Sequence, residues 1–414
     1  MLIGRTNNQS WRPMLWAYVL YACMTLAAQA IGADGLGLAG AGVVLLCAAW
    51  MYAPCLATLP AQPRAVAAVI ALACPLLMVS LHKEVVPAYL VKHVAMYGLY
   101  LLILVSPLRP LTGSGARRWM LAAVVAVLVI GMALPGHDAG GEQERISGVF
   151  VNPNNLALMA MALLVLADPR DSRWTYRGML HGGVLALLWV SGTSGALLAY
   201  GVAMSYRIVQ WSMNEGRRYA AGLAAAVVLT TAVGVFFPMG NEGLLDRVER
   251  QGELMQSELA DAWSGRQLNY YQLGTQYGMD SLSGVWRIAH WRKAFDVLAD
   301  SDPIELALGR GCGSSIALLG LLPHNDYLRL LLEQGVAGLS CFVAILWTSA
   351  MRLPPSRRFV VLMVALYCFT ENNLDNYLFM SLLMMFLGSI RVDEARPQSS
   401  FIQGQRRPQL GAHS

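Results

Sequence analysis

The chain has 414 residues, of which 56% are apolar and 13% are charged, and its formal net charge is +5. A soluble globular protein is excluded, since apolar segments of nearly membrane-spanning length recur from end to end. The composition favours a polytopic, all-α membrane protein whose mild positive charge reflects topology and does not indicate nucleic-acid binding. The seven cysteines have neither the spacing of a zinc site nor the pattern of a disulfide framework.

The apolar segments predict about twelve transmembrane helices, several of them shorter than the ~20 residues that a perpendicular span needs. The region 178–211 is divided in two because Ser191-Gly192-Thr193-Ser194-Gly195 is a favourable turn sequence within an apolar run. The predicted spans are 14–32, 36–58, 64–81, 87–106, 119–135, 153–167, 178–192, 195–211, 219–238, 336–351, 358–371 and 376–391.

The predicted topology follows from the arginines, which are concentrated in every second loop between the predicted spans. One side receives Arg5 and Arg12, Arg64, Arg109, Arg117 and Arg118, Arg170, Arg173 and Arg177, Arg207, Arg217 and Arg218, and Arg352, Arg357 and Arg358. The short loops on the other side contain only Lys83 and Arg145. This asymmetry places both termini in the cytoplasm and the long loop outside. Without the turn at 191–195, the basic pair Arg217-Arg218 would be exported, which is a second reason for the division.

Four regions follow from these spans. They are an N-terminal transmembrane region with about nine spans (1–238), a large external loop (239–323), a C-terminal transmembrane region with about three spans (324–391) and a polar, disordered cytoplasmic tail (392–414). Within the loop, Leu244, Leu245, Val248, Met255 and Leu259 recur near the helical period and predict an amphipathic helix. A second helical pattern runs from about residue 281 to residue 300.

The first polar cluster, residues 144–155, closes a short external loop and opens the span 153–167. Pro153 lies near the first helical turn, where unpaired N–H groups and the helix dipole suit an anion. Arg145 adds a planar donor that fits phosphate. The alternative is structural: Asn152, Asn154 and Asn155 cap the helix, and Arg145 marks the membrane interface.

The second cluster, residues 283–293, forms a basic and aromatic helix face in the external loop. Lys and Arg are normally scarce in external loops, so we expect the basic residues of this cluster to bind an anion. Arg287 is the better candidate ligand because it lies four residues before Trp291, on the same helix face. Arg292 and Lys293 are assigned instead to anionic lipid headgroups.

The third cluster begins at Pro323, where the chain re-enters the membrane. Histidine titrates near neutral pH, so His324 suits a general base or a phosphate partner, although a lone interfacial histidine is more often merely solvated. Arg329 and Glu333 can pair at i, i+4, and we assign this pair to scaffolding.

Three further polar features carry weaker signals. The glycine-rich segment 309–313 matches no nucleotide-binding pattern and predicts a turn that returns the loop to the membrane. Lys92 lies near the external end of a span and is interpreted as a snorkelling lysine. The segment 371–376 is a tight external turn, and its Glu371 and Asp375 would approach the other clusters if the helices converge there.

These clusters form an ordered pattern. Arg-x-Ser-Gly-x-Phe-x-Asn-Pro-Asn starts at residue 145, Ser-x-x-x-Arg-x-x-x-Trp at 283, a Gly-x-Gly turn at 309, and His-Asn-x-Tyr-Leu-x-x-x-x-Glu-x-Gly-x-x-Gly-Leu at 324. The pattern resembles the O-antigen ligase and polymerase superfamily of bacterial inner-membrane proteins. The His-Asn segment is its most specific part and the glycine turn its least specific.

The resemblance implies a C-type glycosyltransferase fold and transfer of a glycan from undecaprenyl diphosphate to an acceptor on the periplasmic face, without metal, nucleotide sugar or other cofactor. It implies that Arg145 and Arg287 hold the diphosphate and that His324 activates the acceptor hydroxyl or assists at the phosphate. The substrate-binding residues inferred with it are Asn152, Asn154, Asn155, Trp291, Asn325 and Tyr327. One departure concerns a hairpin arginine of the family, in whose place this chain has Gly195.

The expected partners are the lipid-linked glycan donor, a glycan or lipid A-core acceptor, the lipid bilayer and other polysaccharide-assembly membrane proteins. We favour a repeat-unit polymerase over a ligase to lipid A-core, and transfer to a protein hydroxyl is the least favoured. A transporter or flippase is the alternative from another class. It predicts inverted repeats and helices broken near the middle of the membrane, whereas the polar clusters here concentrate on the external side.

Overall fold

In this computed structural model, all regular structure in the described part of the chain is helical. The structure describes residues 11–31, 34–58, 62–78, 85–106, 114–133, 152–167, 174–214, 244–266 and 268–390. Its α-helices are α1 Arg12–Ile31, α2 Asp34–Tyr52, α3 Pro63–Met78, α4 Pro87–Val105, α5 Ser114–Ala133, α6 Pro153–Leu166, α7 Trp174–Val190, α8 Ser194–Asn214, α9 Leu244–Ser264, α10 Tyr270–Tyr277, α11 Ser283–Ala299, α12 Pro303–Leu308, α13 Ser314–Leu319, α14 Asp326–Arg352, α15 Pro355–Tyr367 and α16 Tyr377–Ser389. Three short 3₁₀ segments, Ala53–Thr58, Met279–Leu282 and Asn373–Asp375, join some of them.

Three helices of the described residues are long and apolar enough to cross a membrane, namely Gly35–Ala57, Pro87–Val105 and Asp326–Arg352. Pro63–Met78, Pro153–Leu166 and Tyr377–Ser389 are apolar but shorter. Each of the predicted spans except 219–238 falls on a helix, and 219–238 lies outside the described residues. The described chain is therefore helical and contains segments long and apolar enough to cross a membrane, while the predicted number of spans is not confirmed.

The predicted division of the region 178–211 is confirmed. Helix α7 ends at Val190 and α8 begins at Ser194, with Gly192 at φ 58° in the turn between them. A positive φ is costly for residues with a Cβ, so glycine is the favoured residue at this point of the turn. The hairpin is thus encoded locally by its turn residues.

Helices α6 and α16 lie at the centre of the bundle. Every residue from Leu156 to Leu166 and from Tyr377 to Ser389 is buried. A helix that is apolar all round is typical of a protein core or of a membrane interior, and these two helices are covered by other parts of the protein. Their N-terminal ends meet, because Asn376, which caps α16, donates from Nδ2 to Oδ1 of Asn155 over 3.0 Å. Two central helix starts therefore converge at one end of the bundle.

Helix α14 is broken at Gly335, which has φ 65° and ψ −170°. The break frees two carbonyl groups, and the glycine-rich segment occupies them: the N–H of Arg310 donates to Leu332 O and that of Gly311 to Glu333 O, both over 2.9 Å. The glycine turn thus packs against the broken helix, a contact that the sequence did not predict. The predicted span 336–351 begins directly after the break.

The segment between α8 and α14 is folded where the structure describes it. The predicted amphipathic helix is α9, and the second helical pattern is α11. These two helices share a small apolar core formed by Leu254, Ala262, Leu273, Leu282 and Val285. A second core joins Ala294 of α11 and Leu319 of α13 to Leu328 and Leu332 of α14. The segment is therefore fixed to the start of α14, beside the N-terminal ends of α6 and α16.

Candidate functional site

A cavity of about 440 Å³ lies where the starts of α6 and α16 meet the segment before α14. It is lined by Tyr89, Asn152, Asn154, Asn155, Leu158, Ile316, Leu321, Leu322, His324, Glu371, Asn372, Asn373 and Asp375. Four residues predicted from the sequence line it together: Asn152, Asn154, Asn155 and His324. The volume is within the range of small-molecule sites, about 300–1,000 Å³.

Glu371 connects the polar groups at one wall of this cavity. Its side chain is 4% exposed, and each of its oxygens accepts a hydrogen bond from a different element. Arg287 of α11 donates from Nη2 to Oε1, and Nδ1 of His324 lies 3.1 Å from Oε2. A buried carboxylate is costly unless such partners compensate it. The structure thus joins two predicted site residues through a third residue that was not among them.

The Glu371 contact determines the tautomer that we assign to neutral His324. A carboxylate can only accept hydrogen bonds, so Nδ1 of His324 carries the proton that it donates. Nε2 then keeps its lone pair, which is the arrangement required of a general base. The Trp286 ring contacts His324 edge-on with ring centres 5.1 Å apart, which also fixes the orientation of the imidazole.

His324 has φ 48° and is the one residue other than glycine with positive φ in the described ranges. Asparagine, aspartate and histidine are enriched in this region of backbone space, but it remains unfavourable for any residue with a Cβ. Trp291 helps to hold it, since its Nε1–H donates to the carbonyl of Pro323 over 2.8 Å. Trp291, predicted to bind substrate, therefore lies outside the cavity and fixes the backbone that precedes His324.

His290 supports the same face of α11. Its ring stacks on Trp286 with centres 4.7 Å apart, and its Nε2–H donates to Leu321 O over 3.1 Å. Burial lowers the pKa of His290, and the positive charge of Lys293 lowers it further. The ring is accordingly neutral at neutral pH. It acts as a packing residue between α11 and the segment that carries His324.

Asn325 and Tyr327, also predicted to bind substrate, do not line the cavity. Asn325 is 2% exposed, and its Oδ1 accepts from the N–H groups of Tyr327 and Leu328 as the N-cap of α14. The hydroxyl of Tyr327 donates to Ala365 O over 2.7 Å, which ties α14 to α15. Both side chains are committed to the fold, because a buried helix start needs its N–H groups satisfied.

The α6 asparagines combine capping with exposure to the cavity. Oδ1 of Asn152 accepts from the N–H of Asn154 over 2.8 Å, as the capping alternative predicted. Oδ1 of Asn154 accepts from Thr193 over 3.1 Å, and Oδ1 of Asn155 accepts from Asn376. With both carbonyl oxygens engaged by the protein, the amide nitrogens of Asn154 and Asn155 are left to donate to a ligand.

The hairpin between α7 and α8 reaches this site through Thr193 and Gly195. A Cβ added at Gly195 would overlap the side chain of Thr370, the residue before Glu371. A larger side chain at position 195 therefore does not fit unless Thr370 moves. The space next to Gly195 is thus already occupied, at the position where the resemblance leads one to expect an arginine.

A buried ion network lies behind the cavity wall. Arg329 donates from Nε to Glu333 over 3.1 Å and from Nη1 to Asp375 over 2.8 Å. Ser315 also donates to Glu333. The scaffolding assignment of Arg329 and Glu333 is consistent with these contacts, since the network joins α13, α14 and the 371–376 turn. Removing one member of such a network is strongly destabilising.

Of the other predicted polar residues, those that the structure describes are not part of the cavity lining. Arg145 lies outside the described residues. Arg292 pairs with Asp296 over 2.6 Å on an exposed part of α11. The Lys92 ammonium lies 5.1 Å from the centre of the Tyr89 ring. Within the described ranges, no three His, Cys, Asp or Glu side chains form a group that could hold a metal ion.

The sequence placed Glu371 in a tight turn that would approach the other clusters if the helices converge there, and the structure brings it into contact with Arg287 and His324. The available signal was a run of five polar residues, interrupted by Leu374, between two apolar segments. Buried ionisable residues at such a boundary suggest function. Neither a family model nor a curated protein matches this chain.

Proposed function

We propose that this chain is a bacterial inner-membrane glycosyltransferase that moves an undecaprenyl-diphosphate-linked glycan to a sugar hydroxyl on the periplasmic face, as a repeat-unit polymerase of surface polysaccharide. The observation that supports it most is the Arg287–Glu371–His324 chain of contacts at the wall of a polar cavity. It combines a basic imidazole, a carboxylate that orients it and a guanidinium within one site. The resemblance in the sequence supplies the substrate class.

In this proposal Nε2 of His324 accepts the proton of the acceptor hydroxyl. The acceptor oxygen forms a bond to the anomeric carbon of the donor, and the bond from that carbon to the diphosphate oxygen breaks. The electron pair leaves with undecaprenyl diphosphate, and the proton passes from His324 to solvent. Glu371 stabilises the imidazolium that forms, as the buried carboxylate of an acid–base pair does.

Arg287 is proposed to stabilise the charge that grows on the leaving diphosphate. Its recorded contact with Glu371 uses one N–H group of Nη2, and its side chain is 19% exposed. A guanidinium has five N–H groups, so further donors remain for phosphate oxygens. The N-terminal end of α6 adds a positive dipole at the cavity. Its first N–H groups do not contribute, because those of Asn154 and Asn155 donate to Asn152 and Pro153 has none.

The break in α14 is the feature that favours the alternative class of transporters, whose substrate sites use broken helices. In this chain, however, the carbonyls of Leu332 and Glu333 that the break frees are occupied by backbone N–H groups of residues 310 and 311. A coupling ion would need those carbonyls. The break is therefore better explained as the point where the proposed external segment attaches to α14 than as an ion-binding site of a transporter.

Deleting the gene and analysing the glycans tests the proposed reaction. A polymerase deletion is expected to leave single repeat units on the surface or on the lipid carrier. Long chains that stay attached to the polyprenyl lipid would identify the alternative activity, a ligase to lipid A-core. Donor accumulating on the cytoplasmic leaflet would instead identify a flippase and reject a transferase.

Substitution of the site residues tests the assignment of roles. His324→Ala and Arg287→Ala are each expected to lower glycan transfer about 10²–10³-fold, the effect typical of losing one catalytic electrostatic contact. Arg292→Ala is the matched control on the same helix, because Arg292 pairs only on an exposed surface. Transfer is measured as chain extension in isolated membranes, with the amount of protein determined in parallel. Wild-type transfer by both site variants would refute the assignment.

A further inference from the structure

Asp326 has a fully buried carboxylate, two residues after the proposed base His324. Each of its oxygens accepts a backbone hydrogen bond from another part of the chain. The N–H of Asn373 donates to Oδ2 over 2.8 Å, and the N–H of Leu374 donates to Oδ1 over 3.2 Å. A buried carboxylate is costly unless such bonds compensate its lost hydration. The proposed reaction gives this residue no role.

The carboxylate of Asp326 caps the short 3₁₀ segment Asn373–Asp375. The first N–H groups of a helix have no partner within it, and the N-cap side chain usually supplies one. Here the N-cap residue is Asn372, which makes no such bond. Asp326 supplies the missing acceptors from 47 and 48 residues away. The conformation of the chain just after Glu371 therefore depends on Asp326.

The chain just before Glu371 is fixed to the same residue. The backbone N–H of Asp326 donates to the carbonyl of Cys368 over 2.8 Å. The Cys368 thiol also contacts the side chains of Asp326 and Asn373. Glu371 thus lies in a short stretch of chain between two anchor points, Cys368 and Asn373, and both are bonded to Asp326.

These bonds bear on the contact between His324 and Glu371. His324 and Asp326 belong to one short segment at the start of α14, and the two anchor points hold Glu371 against that segment. Nδ1 of His324 lies 3.1 Å from Oε2 of Glu371. Hydrogen bonds weaken steeply away from their preferred geometry, so a small shift of the 371–376 turn would separate the two groups.

We propose that Asp326 is a positioning residue, which keeps Glu371 in contact with His324 by binding the backbone on both sides of the glutamate. Asp326 does not line the cavity, so it affects the reaction through Glu371 and without touching substrate. The proposal rests on the proposed function, because that function assigns His324 as the base and Glu371 as its partner. Loss of the Asp326 carboxylate should separate the pair while leaving both of its members in the chain.

The tautomer of His324 reports the contact directly. The full-length protein, with ¹⁵N-labelled histidine and in lipid bilayers, is examined by solid-state NMR at mildly alkaline pH, where imidazole is neutral. The chain has seven histidines, so the His324 signal is identified by its absence from the His324→Ala spectrum. Wild-type His324 is expected to carry its proton on Nδ1, since a carboxylate only accepts. A wild-type signal from the Nε2–H form would overturn the proposal.

Asp326→Asn separates the positioning role from the pair itself. An amide offers one oxygen where the carboxylate offers two, so one of the two N–H groups loses its acceptor and the turn moves. Glu371 then no longer selects one tautomer, and the Nε2–H form of His324 should appear. The control is Thr348→Val, which removes a hydrogen bond of 2.6 Å to Ala344 O in the same helix and should keep the wild-type tautomer. An unchanged tautomer in Asp326→Asn would contradict the proposal.

The kinetics of glycan transfer show whether Asp326 acts through Glu371. Asp326→Asn is expected to lower kcat about 10–10²-fold with little change in KM, the size of effect that follows a catalytic group misplaced by about 1 Å. In a Glu371→Gln background, the same substitution should lower kcat less than about twofold, because the charge to be positioned is already gone. Equal losses in both backgrounds would mean general damage to the fold and would refute positioning. Asp326→Ser, with a smaller side chain and one oxygen, replaces Asp326→Asn if that variant does not fold.

The NMR measurement needs no lipid-linked donor, so its failure is distinguishable from failure of the proposed function. If His324→Ala abolishes transfer but Asp326→Asn leaves the tautomer of His324 unchanged, the transferase stands and the positioning role is refuted. If Asp326→Asn changes the tautomer but deletion of the gene leaves the glycans unchanged, the positioning role stands and the transferase is refuted.

Discussion

At the scale of single residues, the proposed base, His324, has a strained backbone conformation. His324 has φ 48°, and its position is over-determined by the Trp291 bond to Pro323 O, the Trp286 ring and Glu371. Strained conformations persist where the surroundings impose them, and they are common in functional sites. The strain follows from placing an imidazole next to Glu371 at a position where the chain must turn into α14.

The strain can be measured by comparing two variants at this position. His324→Gly is expected to unfold at a higher temperature than His324→Ala, because only alanine carries a Cβ that disfavours positive φ. The difference in the free energy of unfolding should be about 1 kcal/mol. Both variants lack the imidazole, so the lost contacts cancel. Thermal unfolding in one detergent measures the difference, and equal stability of the two would show that residue 324 is unstrained.

Glu371 gives a second prediction at this scale. Glu371→Gln keeps the shape of the side chain but removes the charge that stabilises the imidazolium, so glycan transfer should fall about a hundredfold or more. Asp261→Asn is the control, since Asp261 pairs with Arg266 on the exposed surface over 3.0 Å. Transfer is assayed in membranes. A Glu371→Gln variant with full activity would mean that His324 needs no carboxylate.

At the scale of elements, α14 and the glycine turn depend on each other through close backbone contact. A Cβ at Gly309 would overlap the backbone of Glu333 and Gln334, and one at Gly335 would overlap the backbone of Ala307 and Leu308. Their φ values are 79° and 65°. The break in the helix and the turn that covers it therefore form one unit, which holds Arg329 and Glu333 in place behind the cavity.

Gly309→Ala and Gly335→Ala should each destabilise the protein by at least about 1–2 kcal/mol, from the backbone conformation alone. Gly201→Ala in α8 is the matched control. A Cβ there meets nothing within 4 Å, and alanine favours a helix over glycine by up to about 1 kcal/mol. Unfolding temperatures of the three variants check this ranking. A Gly335→Ala variant as stable as the Gly201→Ala variant would contradict the close contact between Gly335 and the backbone of Ala307 and Leu308.

At the scale of the whole molecule, the external position of the loop remains a proposal that labelling can test. Ser264→Cys, at an exposed position near the end of α9, should react with a membrane-impermeant maleimide in intact spheroplasts. Ser400→Cys in the proposed cytoplasmic tail should react only after the membrane is opened. A chain with its native cysteines serves as the background control. The reverse pattern of labelling would invert the topology and place the cavity on the cytoplasmic side.

The features predicted from the sequence were those with a local signal. The 191–195 turn, the period of α9 and the start of the span after Gly335 depend on neighbouring residues. The contacts that make the site are long-range: Glu371 is 47 residues from His324 and 84 residues from Arg287. No periodic pattern encodes such a contact. The sequence likewise did not show that the fold engages Asn325 and Tyr327, because a cap and a ligand-binding asparagine look alike.

The closure of the break in α14 has a consequence for biogenesis. In lipid, an unpaired backbone carbonyl costs several kcal/mol, so the broken helix is a poor substrate for insertion by itself. The donors that close the break belong to residues 310 and 311, which leave the ribosome before α14 does. In the proposed topology, the segment that contains these two residues thus acts as an internal chaperone for the next helix. Membrane integration of the C-terminal helices should therefore depend on prior folding of that segment.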